Sequence, residues 1–288
     1  MAALGALVAS HGVNRLSLGS RSCYTAAMAN IDHYAPGTFC WFELGTTDQN
    51  GAKSFYKELF GWDANDMPMG PAGAYSMFVL EGRNTGAAYT LMPEMLAHGI
   101  PSHWALYIAV ENADDAAVKV AKAGGTLLKG PFDVFDVGRM AVVQDPTGAV
   151  FQVWQEKRPK SNGISEVPGT FCWADLNTLD VEAASAFYKA VFGWEIMKGE
   201  TDNSGYLHIK NGASFIGGIP PTHVLPPHMP SHWMLYYYVT DTEASTKRLQ
   251  ELDGKVHMGP ITIEGVGRMS VVADPQGAVF ALFTPLPH

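Results

Sequence analysis

Cysteine is nearly absent from this 288-residue chain, which has only Cys23, Cys40 and Cys172. Three is an odd number and too few for a disulfide framework, so a reducing compartment is the expectation. Charge is also scarce, at 16% of residues, and positive charge scarcer still: 19 Lys and Arg against 28 Asp and Glu leave a net charge of -9. The overall basic footprint that nucleic acid or anionic lipid would need is missing, so no nucleic-acid or membrane partner is expected. No apolar run approaches the ~18 residues of a membrane-spanning helix. Disorder is excluded from the other side, because 47% of the residues are apolar and a disordered chain combines low hydrophobicity with high charge.

Residues 1–31 lack Asp, Glu and Lys entirely while carrying Arg15, Arg21 and four serines. That composition suits an organelle transit peptide, and equally a disordered tail or a chain whose true start is Met28. The expected compartment is the cytoplasm, or the mitochondrion if residues 1–27 are a transit peptide. Residues 1–34 are therefore set outside the fold.

What the chain has in abundance is self-similarity. Pro36-Gly37-Thr38-Phe39-Cys40-Trp41 returns as Pro168-Gly169-Thr170-Phe171-Cys172-Trp173, and Phe55-Tyr56-Lys57 and Phe60-Gly61-Trp62 return as Phe187-Tyr188-Lys189 and Phe192-Gly193-Trp194, all 132 residues later. Over 36–62 against 168–194, 16 of 27 positions are identical. Pro101-Ser102-His103-Trp104, Gly138-Arg139-Met140 and Asp145-Pro146 return 129 residues later, so a loop differs in length between the blocks. The chain reads as two tandem modules, 35–156 and 168–288. Lys157 to Val167, polar and turn-forming at its start, reads as a linker.

Within a module, Phe39 to Leu44 is a strand signal. Asp48 is a helix N-cap, and Ala52, Phe55, Tyr56, Leu59 and Phe60 follow at helical spacing up to Gly61. Strand candidates follow at Tyr75–Leu80 and Ala87–Leu91. The order repeats with Trp104–Val110, a helix from Asp114, and Gly138–Val143 and Val150–Trp154 joined by a tight Asp145-Pro146-Thr147-Gly148 turn. Each half is β-α-β-β-β.

Paired β-α-β-β-β units with these Phe-Tyr, Gly-Trp and Asp-Pro motifs resemble the vicinal oxygen chelate superfamily, which holds glyoxalase I, bleomycin-resistance proteins and extradiol dioxygenases. The tandem modules look like its two-module glyoxalase-like branch. The resemblance implies an α+β fold of two glyoxalase-fold modules, each a curved mixed sheet forming a cup with the site on its concave face. It also implies metal ligands (His, Glu or Gln) at set strand positions. Those positions fall on Trp41 and Trp173, on Ala105 and Met234, and on Gln152 and Ala281; the motifs do not place a fourth. Gln152 alone has a donor, and three or four are normally required. No cofactor is therefore expected, the alternative being a divalent Zn, Ni, Mn or Fe. A slip of two residues would bring His103 and His232 into the cup. The loop carrying His223, His228 and His232 is stiffened by five prolines and reads as exposed.

By the same register, the cups hold Trp41, Glu43 and Arg139 in the first module and Trp173, Asp175 and Arg268 in the second. His103 and His232 stand near the rim, with Tyr107, or Tyr236 and Tyr238, deeper. Two readings stay open. In one, Glu43–Arg139 and Asp175–Arg268 are ion pairs that satisfy each other. In the other, the arginine receives an anionic ligand group and the carboxylate orients it or acts as a base. Cys40 and Cys172 fall on the opposite, helix-facing parity and read as small buried hydrophobes. The expected function is binding of a small, partly apolar metabolite or toxic compound without the superfamily metal. The alternative is a metal-dependent glyoxalase I-like lyase or dioxygenase, and Glu43 and His103 are the catalytic candidates in any enzymatic reading. A small-molecule ligand and a monomer or homodimer are expected. Gln152 against Ala281, and Ala105 against Met234, make the second cup the more apolar.

Overall fold

The structure, a computed structural model, describes residues 30–70, 73–158, 162–199 and 204–286. The transit-peptide segment lies outside the described residues. In the first module, β1 (Asn30–Ile31) precedes a unit of β2 (Phe39–Thr46), α1 (Gln49–Phe60), β3 (Asp63–Pro68), β4 (Ala74–Leu80) and β5 (Arg83–Thr90). The short α2 (Pro93–Ala97) leads to the second unit of β6 (His103–Ala109), α3 (Ala113–Lys122), β7 (Thr126–Val134), β8 (Gly138–Gln144) and β9 (Val150–Glu156). After β10 (Gly163–Ile164), the second module repeats the pattern. Its first unit is β11 (Phe171–Asn177), α4 (Val181–Phe192), β12 (Glu195–Lys198), β13 (Leu207–Asn211) and β14 (Ser214–Ile219). Its second is β15 (His232–Tyr238), α5 (Thr242–Glu251), β16 (Lys255–Ile263), β17 (Gly267–Ala273) and β18 (Val279–Pro285).

The β-α-β-β-β expectation therefore holds four times over, and local chemistry explains the helices. The Asp48 carboxylate accepts from the Gly51 amide and caps α1, whose end is set by Gly61 at φ 78°. Asp180 and Gly193 do the same for α4.

Each module is one continuous mixed sheet. In the second the order is β12-β13-β14-β11-β15-β18-β17-β16, and the first repeats it with β1 and β10 added. The lead strands of the two units, β2 and β6, pair antiparallel at the centre. Each cup is thus completed within one module. Two boundaries shift from the expectation. Residues 30–34 are not all tail, nor is 157–167 all linker: β1 pairs with β10, and β10 with β5, because Ile31 and Ile164 are apolar residues that the composition of their neighbours concealed.

The helix-side faces of both sheets share one hydrophobic core, including Phe39, Phe42, Tyr56 and Trp62 with Phe171, Tyr188, Trp194 and Phe280. Phe42 stacks on Phe171 with centroids 4.0 Å apart. The repeated motifs are reciprocal links across this seam. The Tyr56 hydroxyl donates to Asp274 at 3.1 Å and Tyr188 donates to Asp145 at 3.0 Å. The indole of Trp62 donates to the Gly169 carbonyl at 2.7 Å, and that of Trp194 to Gly37 at 2.9 Å. The Phe-Tyr, Gly-Trp, Pro-Gly-Thr and Asp-Pro motifs recur because each module needs its partner's copy.

Candidate functional site

The opposite, concave faces are the cups. That of the first module encloses about 2210 Å³. Its floor comes from strand alternation: Trp41 and Glu43 on β2, Ala105 and Tyr107 on β6, and Gln152 and Trp154 on β9 all line it. Tyr75 on β4 and Tyr89 on β5 form one wall, and Phe132 and Met140 on β7 and β8 form the other.

Glu43 is the polar centre. Tyr107 donates its hydroxyl to Glu43 Oε2 at 2.7 Å, and Tyr75, which accepts the Trp41 indole N–H at 2.9 Å, also bonds to the carboxylate. Burial raises the Glu43 carboxyl above the ordinary glutamate range, against the pull of these two hydroxyls. The same burial and the nearby carboxylate push the Tyr107 and Tyr75 hydroxyls up, so both remain donors. The second cup is built alike but more tightly. Asp175 accepts from Tyr206 at 2.5 Å, Tyr236 at 2.7 Å and the Trp173 indole at 3.1 Å. Its carboxyl is likewise raised by burial.

The arginines are not in the cups. Met140 and Val142 pack on the concave side while Ala141 and Val143 belong to the helix-side core, so Arg139 shares the helix side. There its guanidinium binds Asp114 on α3 at 2.7 and 2.9 Å and Asp133 at 3.1 Å. Arg268 mirrors it, pairing with Glu243 on α5 and with Thr262. The expected Glu43–Arg139 and Asp175–Arg268 pairs do not form. The register inferred from the motifs was one residue out on this strand, and a one-residue slip reverses every side chain. Glu43 is therefore held by tyrosine hydroxyls, and Asp175 by tyrosine hydroxyls and an indole, with no cation paired to either among the described residues.

Cys40 is also displaced from its expected face. The β2–β6 register shifts between Phe39 and Trp41, so two consecutive residues face the same side. Cys40 packs in the cup-side cluster with Tyr107 and Met140, and Cys172 does the same in the second module. Both are buried, and burial pushes both thiols well up, so they are small hydrophobes as expected.

His103 lies on β6 opposite Gly45, lining the cup, with Nδ1 on the Pro101 carbonyl at 2.8 Å. His232 holds the matching bond to Pro230 at 2.9 Å and reaches the Asn177 amide at 3.1 Å. Tyr238 joins the second cup's apolar cluster.

Residue-based reasoning missed Tyr75 and Tyr206. They lie in the segment where the repeat offset changes, so neither block aligns them; alternation along the strand from Tyr75 was the available signal.

The donors here do not fit a divalent metal. Beside Glu43 stand phenols and the Ala105 methyl, with the Trp41 indole on Tyr75, the Gln152 amide two strands away, and His103 on β6 bonded to the Pro101 carbonyl. No three His, Cys, Asp or Glu come together among the described residues, whereas zinc and its neighbours take three or four such ligands. The His223–His228–His232 loop gathers no such set either.

Among the described residues, no helix is long and apolar enough to cross a membrane. The chain is 38% identical over 269 residues to a Mycobacterium tuberculosis protein named "Putative glyoxylase CFP32", covering 91% of this chain and all of that one. It is 33% identical over 266 residues to the anthracycline biosynthesis protein DauV of a Streptomyces species, covering 88% of this chain and 94% of the relative. Solved structures share the fold at low identity. The Mn(II)-bound glyoxalase from Novosphingobium aromaticivorans superposes with a TM-score of 0.61 at 15% identity, over 90% of this chain and 84% of that one. The 2,3-dioxygenase LapB from Pseudomonas gives 0.59 at 13% identity, over 88% and 94%. The Glyoxalase/Bleomycin resistance protein/Dioxygenase superfamily sequence model matches residues 30–153 and 170–282, one match per cup-forming module, and the chain belongs to that superfamily.

Proposed function

We propose that the protein binds a small, partly apolar, aromatic molecule in its first cup and that it does so without the superfamily metal. The observation that carries this reading is Glu43: a carboxyl raised by burial, paired with tyrosine hydroxyls, on the floor of a hollow walled by Trp, Tyr, Phe and Met. Such a site offers area and a few fixed polar groups, the usual makeup of a small-molecule pocket. The Met side chains at its lip, Met67, Met77 and Met92 among them, adapt to irregular shapes. The Glu43 carboxyl and the Tyr107 hydroxyl bound to it give a ligand a fixed polar partner on the floor. A relative named for anthracycline biosynthesis accords with an aromatic, carbonyl-bearing ligand. The alternative, a metal-dependent lyase or dioxygenase, has less support, since no three His, Cys, Asp or Glu come together among the described residues.

Two measurements on the purified full-length protein test the reading. Elemental analysis is expected to find less than stoichiometric Mn, Fe, Ni or Zn, and one tightly held ion per chain would overturn the metal-free part. A thermal-shift panel of aromatic and aliphatic compounds is expected to show stabilisation by aromatic ones, about 2.7 kcal/mol at a hundred times Kd. No shift with any aromatic compound would overturn the binding part.

A further inference from the structure

Two floor positions distinguish the cups. On β6 and β9 the first module carries Ala105 and Gln152; the second carries Met234 and Ala281. The registers show that these positions correspond. Gln152 lies between Tyr107 and Val142, as Ala281 lies between Tyr236 and Val271. Glu43 pairs across the sheet with Ala105, and Asp175 with Met234. Next to its carboxyl, the first cup thus exchanges a long apolar side chain for a methyl group, and two strands away a methyl group for an amide. Space and a polar group arrive together.

Gln152 is only 8% exposed, lines the hollow, and has a buried Oε1 with no hydrogen-bond partner among the described residues. An unpaired buried acceptor weakens a fold. Ala281, fully buried at the matching position, shows that the architecture does not require an amide there. The nearest hydroxyl in register, Tyr107, already donates to Glu43.

We propose that Gln152 sets the specificity of the first cup: its amide, whose Oε1 is covered in the free protein, turns to accept a hydrogen bond from a hydroxyl or N–H on the leading edge of an aromatic ligand in the space that Ala105 leaves open, and the second cup does not take this class of ligand. This rests on the ligand-binding reading above. Trp41, Tyr107 and Trp154 supply the aromatic contact. A ligand carboxylate would set acceptor against acceptor, so the group that enters is a donor and not a carboxylate. A site built to pair with a donor rejects an isostere without one more strongly than an apolar pocket rejects a size change.

Isothermal titration of the full-length protein with two matched pairs tests this: 2-naphthol against 2-methoxynaphthalene, and indole against 1-methylindole. The donor-bearing member of each pair is expected to bind about tenfold tighter. Gln152→Met, of similar volume, should abolish the preference by bringing the two members of each pair to about the same affinity. It should also raise Tm by roughly 2–5 °C, because the unpaired amide is gone. Gln152→Ala, the residue found in the second module, is the second variant and should abolish the preference too. Equal affinity within both pairs would overturn this inference alone, as would a preference that survives in Gln152→Met or a lowered Tm for that variant. Absence of binding by every probe would overturn the ligand-binding reading and this inference with it.

Discussion

Tyr56→Phe removes one oxygen atom from the seam between the modules and tests whether the repeated motifs act there. The Tyr56 hydroxyl accepts from the Trp104 indole at 2.9 Å and donates to Asp274 at 3.1 Å, and Tyr56 is fully buried. Burial and Asp274 push the phenol well up, so the hydroxyl stays protonated and the donor role persists. Phenylalanine keeps the ring volume and the stacking on Trp62 at 5.3 Å. What is lost is one neutral hydrogen bond and one to a carboxylate, leaving a buried indole N–H unpaired. The expected cost is about 2–4 kcal/mol, or roughly 3–7 °C in Tm for a chain of this size. Urea unfolding followed by circular dichroism and tryptophan fluorescence measures it. Because both modules share a core, one cooperative transition should shift as a whole, and Tyr188→Phe should cost about the same. A loss below ~0.5 kcal/mol, or a split into two transitions with one unmoved, would refute the reciprocal-link argument.

Three further outcomes follow from the site. Burial raises the Glu43 carboxyl, so its contribution to stability is full below the unfolded value and lost as pH rises through the folded one; Glu43→Gln should therefore gain stability over wild type between about pH 4 and pH 8 in melting curves, and a gain that is equal at both ends would contradict it. Arg139→Ala should leave ligand affinity unchanged by titration, since the guanidinium binds Asp114 and Asp133 outside the cup; a tenfold loss would return Arg139 to the site. Cys40 and Cys172 should resist a thiol reagent until the protein unfolds, and their rapid native-state labelling, located by mass spectrometry, would show that the cup-side clusters open.

Much of this architecture was legible in the residues because it is written twice. The repeated blocks located both modules, the helix caps at Asp48 and Gly61, and the Asp-Pro turns. Their reason was not legible: Tyr56 and Asp274 are far apart in sequence, and only the packed seam joins them. Site placement failed where alternation was extrapolated without a register. A bulge beside Trp41 turned Cys40 to the cup side, and on β8 the parity of Met140 sent Arg139 to the helix side. The Glu43–Tyr107 contact depends on pairing between β2 and β6, which a linear reading does not supply. Gln152 was visible as a lone donor among the expected ligand positions, but its unpaired oxygen emerged only from the packing.

Whether the first cup seats its ligand without a metal is measured most directly by titration of 2-naphthol into chelator-treated full-length protein, before and after addition of one equivalent of Mn(II). The same affinity is expected in both. Binding that appears only when the ion is present would contradict it.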